Sequence, residues 1–154
     1  MVARMGRAPT PRQPVVAPRP DRIRQGDREK AYRPLELAER QAAFEEGMAA
    51  WERGDWFAAH EALEPAWMGT DDLAERALHQ GLIKVAAAYV HAVRGNPAGI
   101  AKNLAGARVH LASAGQAGRA WGVDVPGLLD AIDTRLADPA TASTPPVIRR
   151  IRPA

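Results

Sequence analysis

Apolar residues recur at intervals of three and four along the middle of this chain, which is the spacing of one face of an α-helix. No alternating apolar and polar run is long enough for a half-buried strand. The helical stretches are joined by short connections, which favour antiparallel neighbours. The pattern therefore predicts an all-α fold, a single antiparallel array of four to five helices over residues 34–139.

Start and stop signals divide this pattern into individual helices. Proline or an acidic capping residue opens the helices, and glycine ends the first and the third at Gly54 and Gly95. The predicted helices cover residues 35–53, about 56–67, 73–94, 97 through 111, and 126–138. Residues 115–123 are predicted to form a loop before the last helix.

The basic residues are concentrated at the amino-terminal end. Residues 1–30 hold eight Lys or Arg residues against three acids, which gives +5, whereas residues 31–154 hold thirteen against fifteen, which gives −2. Five prolines interrupt residues 1–30, and such a biased composition cannot bury a core. We therefore predict a disordered basic tail over residues 1–30 and, from similar composition, a disordered tail over residues 140–154.

The same distribution bears on possible partners and on the compartment. The arginines of the first 30 residues could contact phosphate, but no aromatic side chain precedes Tyr32 to stack on bases. We therefore expect no nucleic-acid partner, except for contacts that the basic tail could make. Cysteine is absent, which excludes disulfides and thiolate metal sites. No apolar run approaches the roughly 20 residues of a membrane span. A cytoplasmic protein without a membrane partner is the expectation.

A second feature is a set of polar residues on the apolar side of the second helix. In the stretch DWFAAHEALEPAW, residues 55–67, a helical wheel places Trp56, Leu63, Glu64 and Trp67 all within about 60° of His60. Burying a carboxylate costs several kcal/mol unless it is paired. This face therefore needs a neighbouring element that supplies hydrogen-bond donors.

The third helix carries a polar stripe that could face this side of helix two. The positions of the stripe follow one another along the sequence at spacings of four, four, three and four. Packing of this stripe against helix two would bring Arg76 or Lys84 to Glu64 or Glu61, and Gln80 or His91 to His60. The alternative is that the stripe faces water, as polar stripes usually do. His79 and His110 are expected at the surface. The predicted semi-buried site comprises His60, Glu61, Glu64, Trp67, Arg76, Gln80, Lys84, His91 and Asn96.

The order of these motifs resembles a known family. WFAAHEALEPAW followed by QGLIKVAAAYVHAVRGNPAG is similar to domain of unknown function 309, whose pattern is an aromatic pair, a His-Glu step with a downstream Trp, and a helix ending in His and Gly-Asn. The resemblance spans about residues 44–111 and implies a small all-helical domain of unassigned activity. Its motif falls on Phe57, His60, Glu61, Glu64, Trp67, Arg76, Gln80, His91, Gly95, Asn96 and Gly99.

Three departures from that pattern bear on metal binding. Ala58 stands where the family commonly has an acid, Pro65 follows Glu64, and Lys84 replaces a frequent glutamine. The loss of an acid and the gain of a cation both disfavour a divalent ion, so we expect no cofactor.

Three classes of function fit these residues. A small-ligand-binding or protein-interaction module, which could be a homodimer, is favoured because Trp51, Trp56, Trp67 and Trp121 could line a groove. The alternative is a metal-dependent hydrolase with His60, Glu64 and His91 as ligands and Glu61 as general base. A metal-free enzyme would use His60 as base and Arg76 to hold an anionic substrate. A purely structural network also fits.

Overall fold

The capping residues place the helices close to their predicted positions. The carboxylate of Asp55 accepts a hydrogen bond from the Ala58 amide at 3.1 Å, and the carboxylate of Asp72 accepts one from the Glu75 amide at 2.8 Å. Gly54 and Gly95 adopt left-handed φ angles of 81° and 67° where the first and third helices end. Local signals therefore set the helix boundaries.

The structure is a computed structural model that describes residues 22–25 and 28–153, with the backbone alone described before Tyr32. Its helices are α1 (Leu37–Glu52), α2 (Trp56–Met68), α3 (Leu73–Val93), α4 (Pro97–Ala112), α5 (Ala117–Ala120) and α6 (Val125–Ala137). A 3₁₀ turn follows at Pro139–Thr141. The all-α prediction is confirmed. The sixth helix is the short α5, which lies in the predicted loop.

Helix α3 is central to the fold. It packs against α2 on one side and α4 on the other, while α1 covers α2 and α6 covers α4. Its apolar residues Leu78, Leu82, Val85 and Tyr89, which are spaced three or four apart, are buried, and they join one core with residues from the other helices. Two apolar residues at helix ends, Leu37 and Val93, are instead 51% and 76% exposed.

The prediction of a disordered carboxyl-terminal tail is wrong for residues 140–153. Ile148 is buried in the core, and the Tyr89 hydroxyl donates a hydrogen bond to the Ala142 carbonyl at 2.9 Å. Arg150 forms an ion pair with Glu45 of α1 at 2.8 Å. Proline-rich composition concealed this order because a segment without helical or strand periodicity can still be held by long-range contacts.

The amino-terminal segment forms a small hairpin. Strand β1 (Arg22–Gln25) pairs with β2 (Arg28–Ala31) in antiparallel register, with Arg22 opposite Ala31. The sequence pattern predicted neither a strand nor order here. The remainder of the predicted basic tail, residues 1–21 and 26–27, lies outside the described residues. Within the described chain, no helix is both long and apolar enough to traverse a bilayer.

Candidate functional site

The α2 residues of the predicted polar site differ in their exposure. Trp67 is fully buried, His60 and Glu64 are half-buried, and Glu61 is exposed. The His60 Nδ1 atom lies 3.6 Å from a carboxylate oxygen of its neighbour Glu61. Polar groups do therefore lie on the inward side of α2.

The α3 part of that site is divided between two neighbours. Gln80 is only 8% exposed, but the stem of Lys84 lies over Gly106 of α4, and the imidazole of His91 lies over Gly99 of α4. Residues 84 and 91 therefore face α4 rather than α2. Glycines at positions 99 and 106 provide the room for these two side chains.

Of the two residues predicted to approach His60, Gln80 or His91, the second makes its contact elsewhere. His91 Nδ1 instead lies 3.1 Å from the side-chain amide of Asn96, whose oxygen accepts a hydrogen bond from the Gly99 amide. Arg76 is half-buried and forms no ion pair with any residue from 32 to 153. The structure brings His91 and Asn96 together, and it does not bring Arg76 to the acids of α2.

The alternative set of metal ligands is not assembled. Among the described residues, no three His, Asp or Glu side chains converge closely enough to hold an ion. One member of the set, His91, instead lies against Gly99 and Asn96 at the start of α4. The proposed ligand set of the hydrolase is therefore overturned.

The structure contains a buried charged cluster that the sequence analysis missed. The Arg40 guanidinium of α1 binds the Glu75 carboxylate of α3 through two hydrogen bonds, at 2.6 Å and 3.0 Å, and the same carboxylate lies 3.1 Å from Nε2 of His79. His79 is 0% exposed, so its predicted surface position is wrong. The only available signal was the spacing of four residues between Glu75 and His79.

Electrostatics assign the charge states within this cluster. Burial alone would raise the pKa of Glu75, but hydrogen bonds from His79 and Arg40 bring the pKa below its usual value. Burial lowers the pKa of His79, against the opposing effect of Glu75. His79 is thus a neutral imidazole that donates from Nε2. Its ring packs edge-on against Trp121 at 4.7 Å, and its Nδ1 has no hydrogen-bond partner among the described residues. This environment is typical of a structural group.

A separate opening lies where the carboxyl ends of α1 and α3 meet the amino end of α2. We call it the aromatic cleft. It has a volume of about 470 Å³ and is lined by Arg53, Gly54, Asp55, Trp56, Phe57, Val90, Val93 and Arg94. The Trp56 ring packs at a tilt against Trp51 and Tyr89, with ring centroids 4.7 Å and 6.0 Å apart, which anchors one wall in the core.

The aromatic cleft corresponds only in part to the tryptophan groove predicted from the sequence. Trp56 lines it, whereas Trp51 and Trp67 are buried and Trp121 packs on Phe44. Sequence reasoning missed Arg53 and Arg94, the carboxyl-terminal caps of α1 and α3. Their adjacency depends on how α1 and α3 pack, and no local pattern reports it.

Comparison with known families identifies the helical core. Residues 44–103 match the family model described as Domain of unknown function (DUF309). That segment runs from the middle of α1 to the middle of α4, and it includes every residue that lines the aromatic cleft. Comparison with curated proteins gave no match. Over residues 44–103, the chain is therefore similar to the DUF309 family.

Proposed function

We propose that this domain is a binding module that takes a small, largely apolar ligand into the aromatic cleft. The observation that carries the proposal is the combination of volume and lining. About 470 Å³ lies within the range of roughly 300–1,000 Å³ typical of small-molecule sites. Trp56, Phe57, Val90 and Val93 supply the apolar surface expected of such a site.

The exposure of two lining residues supports this assignment. Phe57 is 59% exposed and Val93 is 76% exposed. Single exposed apolar residues are common, but these two border the same concave surface. Removal of apolar area from water contributes about 25 cal/mol per Å². A ligand that covers both side chains would gain this free energy without any change in the fold.

The chemistry of the cleft favours binding over catalysis. Among the described residues, its lining includes no histidine and no hydroxyl group, and its only carboxylate, that of Asp55, already caps α2. General acid-base catalysis needs a titratable group within hydrogen-bond reach of the reacting atoms. Asp55 is the only such group in the lining, and its capping hydrogen bond already engages it.

Titration with a neutral fluorescent amine, N-phenyl-1-naphthylamine, tests the proposed function. We expect saturable fluorescence enhancement with the wild-type protein. The Phe57→Ser and Val93→Ser variants should each bind the probe at least about fivefold more weakly, because each substitution removes apolar area that the probe would cover. Val109→Ser is the matched control, since Val109 is 64% exposed and does not line the cleft.

Two outcomes would contradict the proposal. Equal affinity of the Phe57→Ser, Val93→Ser and Val109→Ser variants would place the probe elsewhere. Absence of probe binding, together with conversion of a dimer to a monomer by Val93→Ser in sedimentation velocity, would make the cleft a contact between two copies of the chain. That second outcome would instead support the homodimer expected from the sequence.

A further inference from the structure

We propose that the ligand of the aromatic cleft is an organic anion, a carboxylate on an apolar body. The proposal rests on the function proposed above and adds the chemical class of the ligand. Its basis is the placement of Arg53 and Arg94 at the border of an otherwise apolar surface.

The two arginines belong to different helices and reach the same opening. Arg53 caps the carboxyl end of α1 and Arg94 caps the carboxyl end of α3, and both residues are exposed. Neither guanidinium forms an ion pair with any residue from 32 to 153. By contrast, Arg40, Arg108 and Arg150 each bind a carboxylate of this chain. The donors of Arg53 and Arg94 are therefore available to a bound molecule.

The single acid of the cleft does not neutralise these cations. The Asp55 carboxylate accepts a hydrogen bond from the Ala58 amide, and it lies beyond ion-pair distance of both guanidinium groups. Two arginines against one aspartate give the lining a net charge of +1. A cationic ligand is therefore disfavoured, and an anionic one is attracted.

The geometry assigns a role to each part of such a ligand. Its apolar body would lie along Trp56, Phe57 and the two valines, while its carboxylate would meet the arginines at the border. Guanidinium groups present paired donors that match the two oxygens of a carboxylate. Because the head group would stay close to water, it avoids the full desolvation cost of a buried charge.

Three probes with the same ten-carbon chain test the charge requirement. Decanoate, 1-decanol and decyltrimethylammonium would be titrated below their micelle concentrations against wild-type protein, with Trp fluorescence and calorimetry as readouts. We expect decanoate to bind most tightly and the ammonium compound most weakly. Arg53→Gln and Arg94→Gln should each weaken decanoate binding by a factor of about three to ten and leave decanol binding unchanged. Added salt should reduce the preference for decanoate.

Arg119→Gln is the matched control, because Arg119 is exposed, forms no ion pair with a described residue and does not line the cleft. Equal affinity for decanoate and decanol, both reduced by Phe57→Ser, would overturn the anion inference while the binding function stands. If no probe binds in a manner sensitive to Phe57, both proposals fail. A decanoate preference equally reduced by Arg119→Gln would indicate nonspecific charge attraction and also overturn the inference.

Discussion

His79 is a buried histidine whose neutral form is required by its surroundings. Its Nε2 faces Glu75, and Phe44 and Trp121 enclose the rest of the ring. A second proton would sit on Nδ1, which has no acceptor among the described residues. Protonation of His79 is therefore easier in the unfolded chain than in the folded one, which links the stability of the domain to pH.

We expect the free energy of unfolding to fall as the pH drops below about 6.5, the ordinary pKa of histidine. The folded-state pKa of His79 is lowered, so the unfolded state binds the extra proton first, and stability decreases by up to about 1.4 kcal/mol per pH unit. Glu75, whose pKa is also lowered, adds a further loss below its ordinary value of 4.5. Urea unfolding between pH 8 and pH 4 measures this profile.

Two variants separate the contributions of individual histidines. His79→Gln should flatten the profile between pH 6.5 and pH 5, because its amide can still donate to Glu75 without titrating. His110→Gln should have a smaller effect of the same sign, since burial and the nearby charge of Lys84 lower the pKa of a group that is only half-buried. A profile unchanged by His79→Gln would refute this explanation.

Helices α3 and α4 approach closely because small residues lie at their contact. A Cβ atom on Gly81 would come within 2.6 Å of Cγ and Cδ2 of Leu111, a fully buried residue. A Cβ atom on Gly106 would meet only the flexible stem of Lys84, at 3.2 Å. The same kind of substitution should therefore have opposite effects at these two positions of the interface.

Gly81→Ala should destabilise the domain by about 1–2 kcal/mol, because overpacking against Leu111 outweighs the higher helix propensity of alanine. Gly106→Ala should leave stability unchanged or raise it by up to about 1 kcal/mol, since the Lys84 stem can move aside. Thermal and urea unfolding of both variants measure the difference. Unchanged stability of Gly81→Ala would show that the helix contact tolerates a methyl group at this position and would contradict the prediction.

At the scale of the whole molecule, the carboxyl-terminal segment packs onto the helices. After the 3₁₀ turn at Pro139–Thr141, the chain returns to α5 and α6, where the Ile151 amide donates to the Gly122 carbonyl at 2.9 Å and the Asp124 amide donates to the Arg149 carbonyl at 3.0 Å. Ile148, which immediately precedes these contacts, is buried in the core. The segment is therefore part of the folded domain.

Two adjacent residues provide a direct test of this role. Ile148→Ala should reduce the free energy of unfolding by about 2–4 kcal/mol, because Ile148 is 7% exposed and its removal leaves a cavity. Val147→Ala should change it by less than about 0.5 kcal/mol, because Val147 is 79% exposed. Chemical denaturation measures both. Equal, small effects would mean that the segment is not integral to the core.

Helix boundaries, the all-α class and the family resemblance followed from the amino-acid sequence, because capping, proline and glycine signals and apolar periodicity act over a few residues. Each of these properties belongs to one helix at a time.

Only the tertiary structure decided which neighbour each polar side chain faces. The orientation of α3 places His91 next to Gly99. It also buries His79 in the cluster that Arg40 of α1 forms with Glu75. Arg53 and Arg94, from two different helices, line the same cleft. The tertiary structure also ordered residues 140–153 on the core. These outcomes depend on contacts between residues far apart in the chain, and a periodic pattern within one helix carries no information about the rotation of that helix against its neighbours.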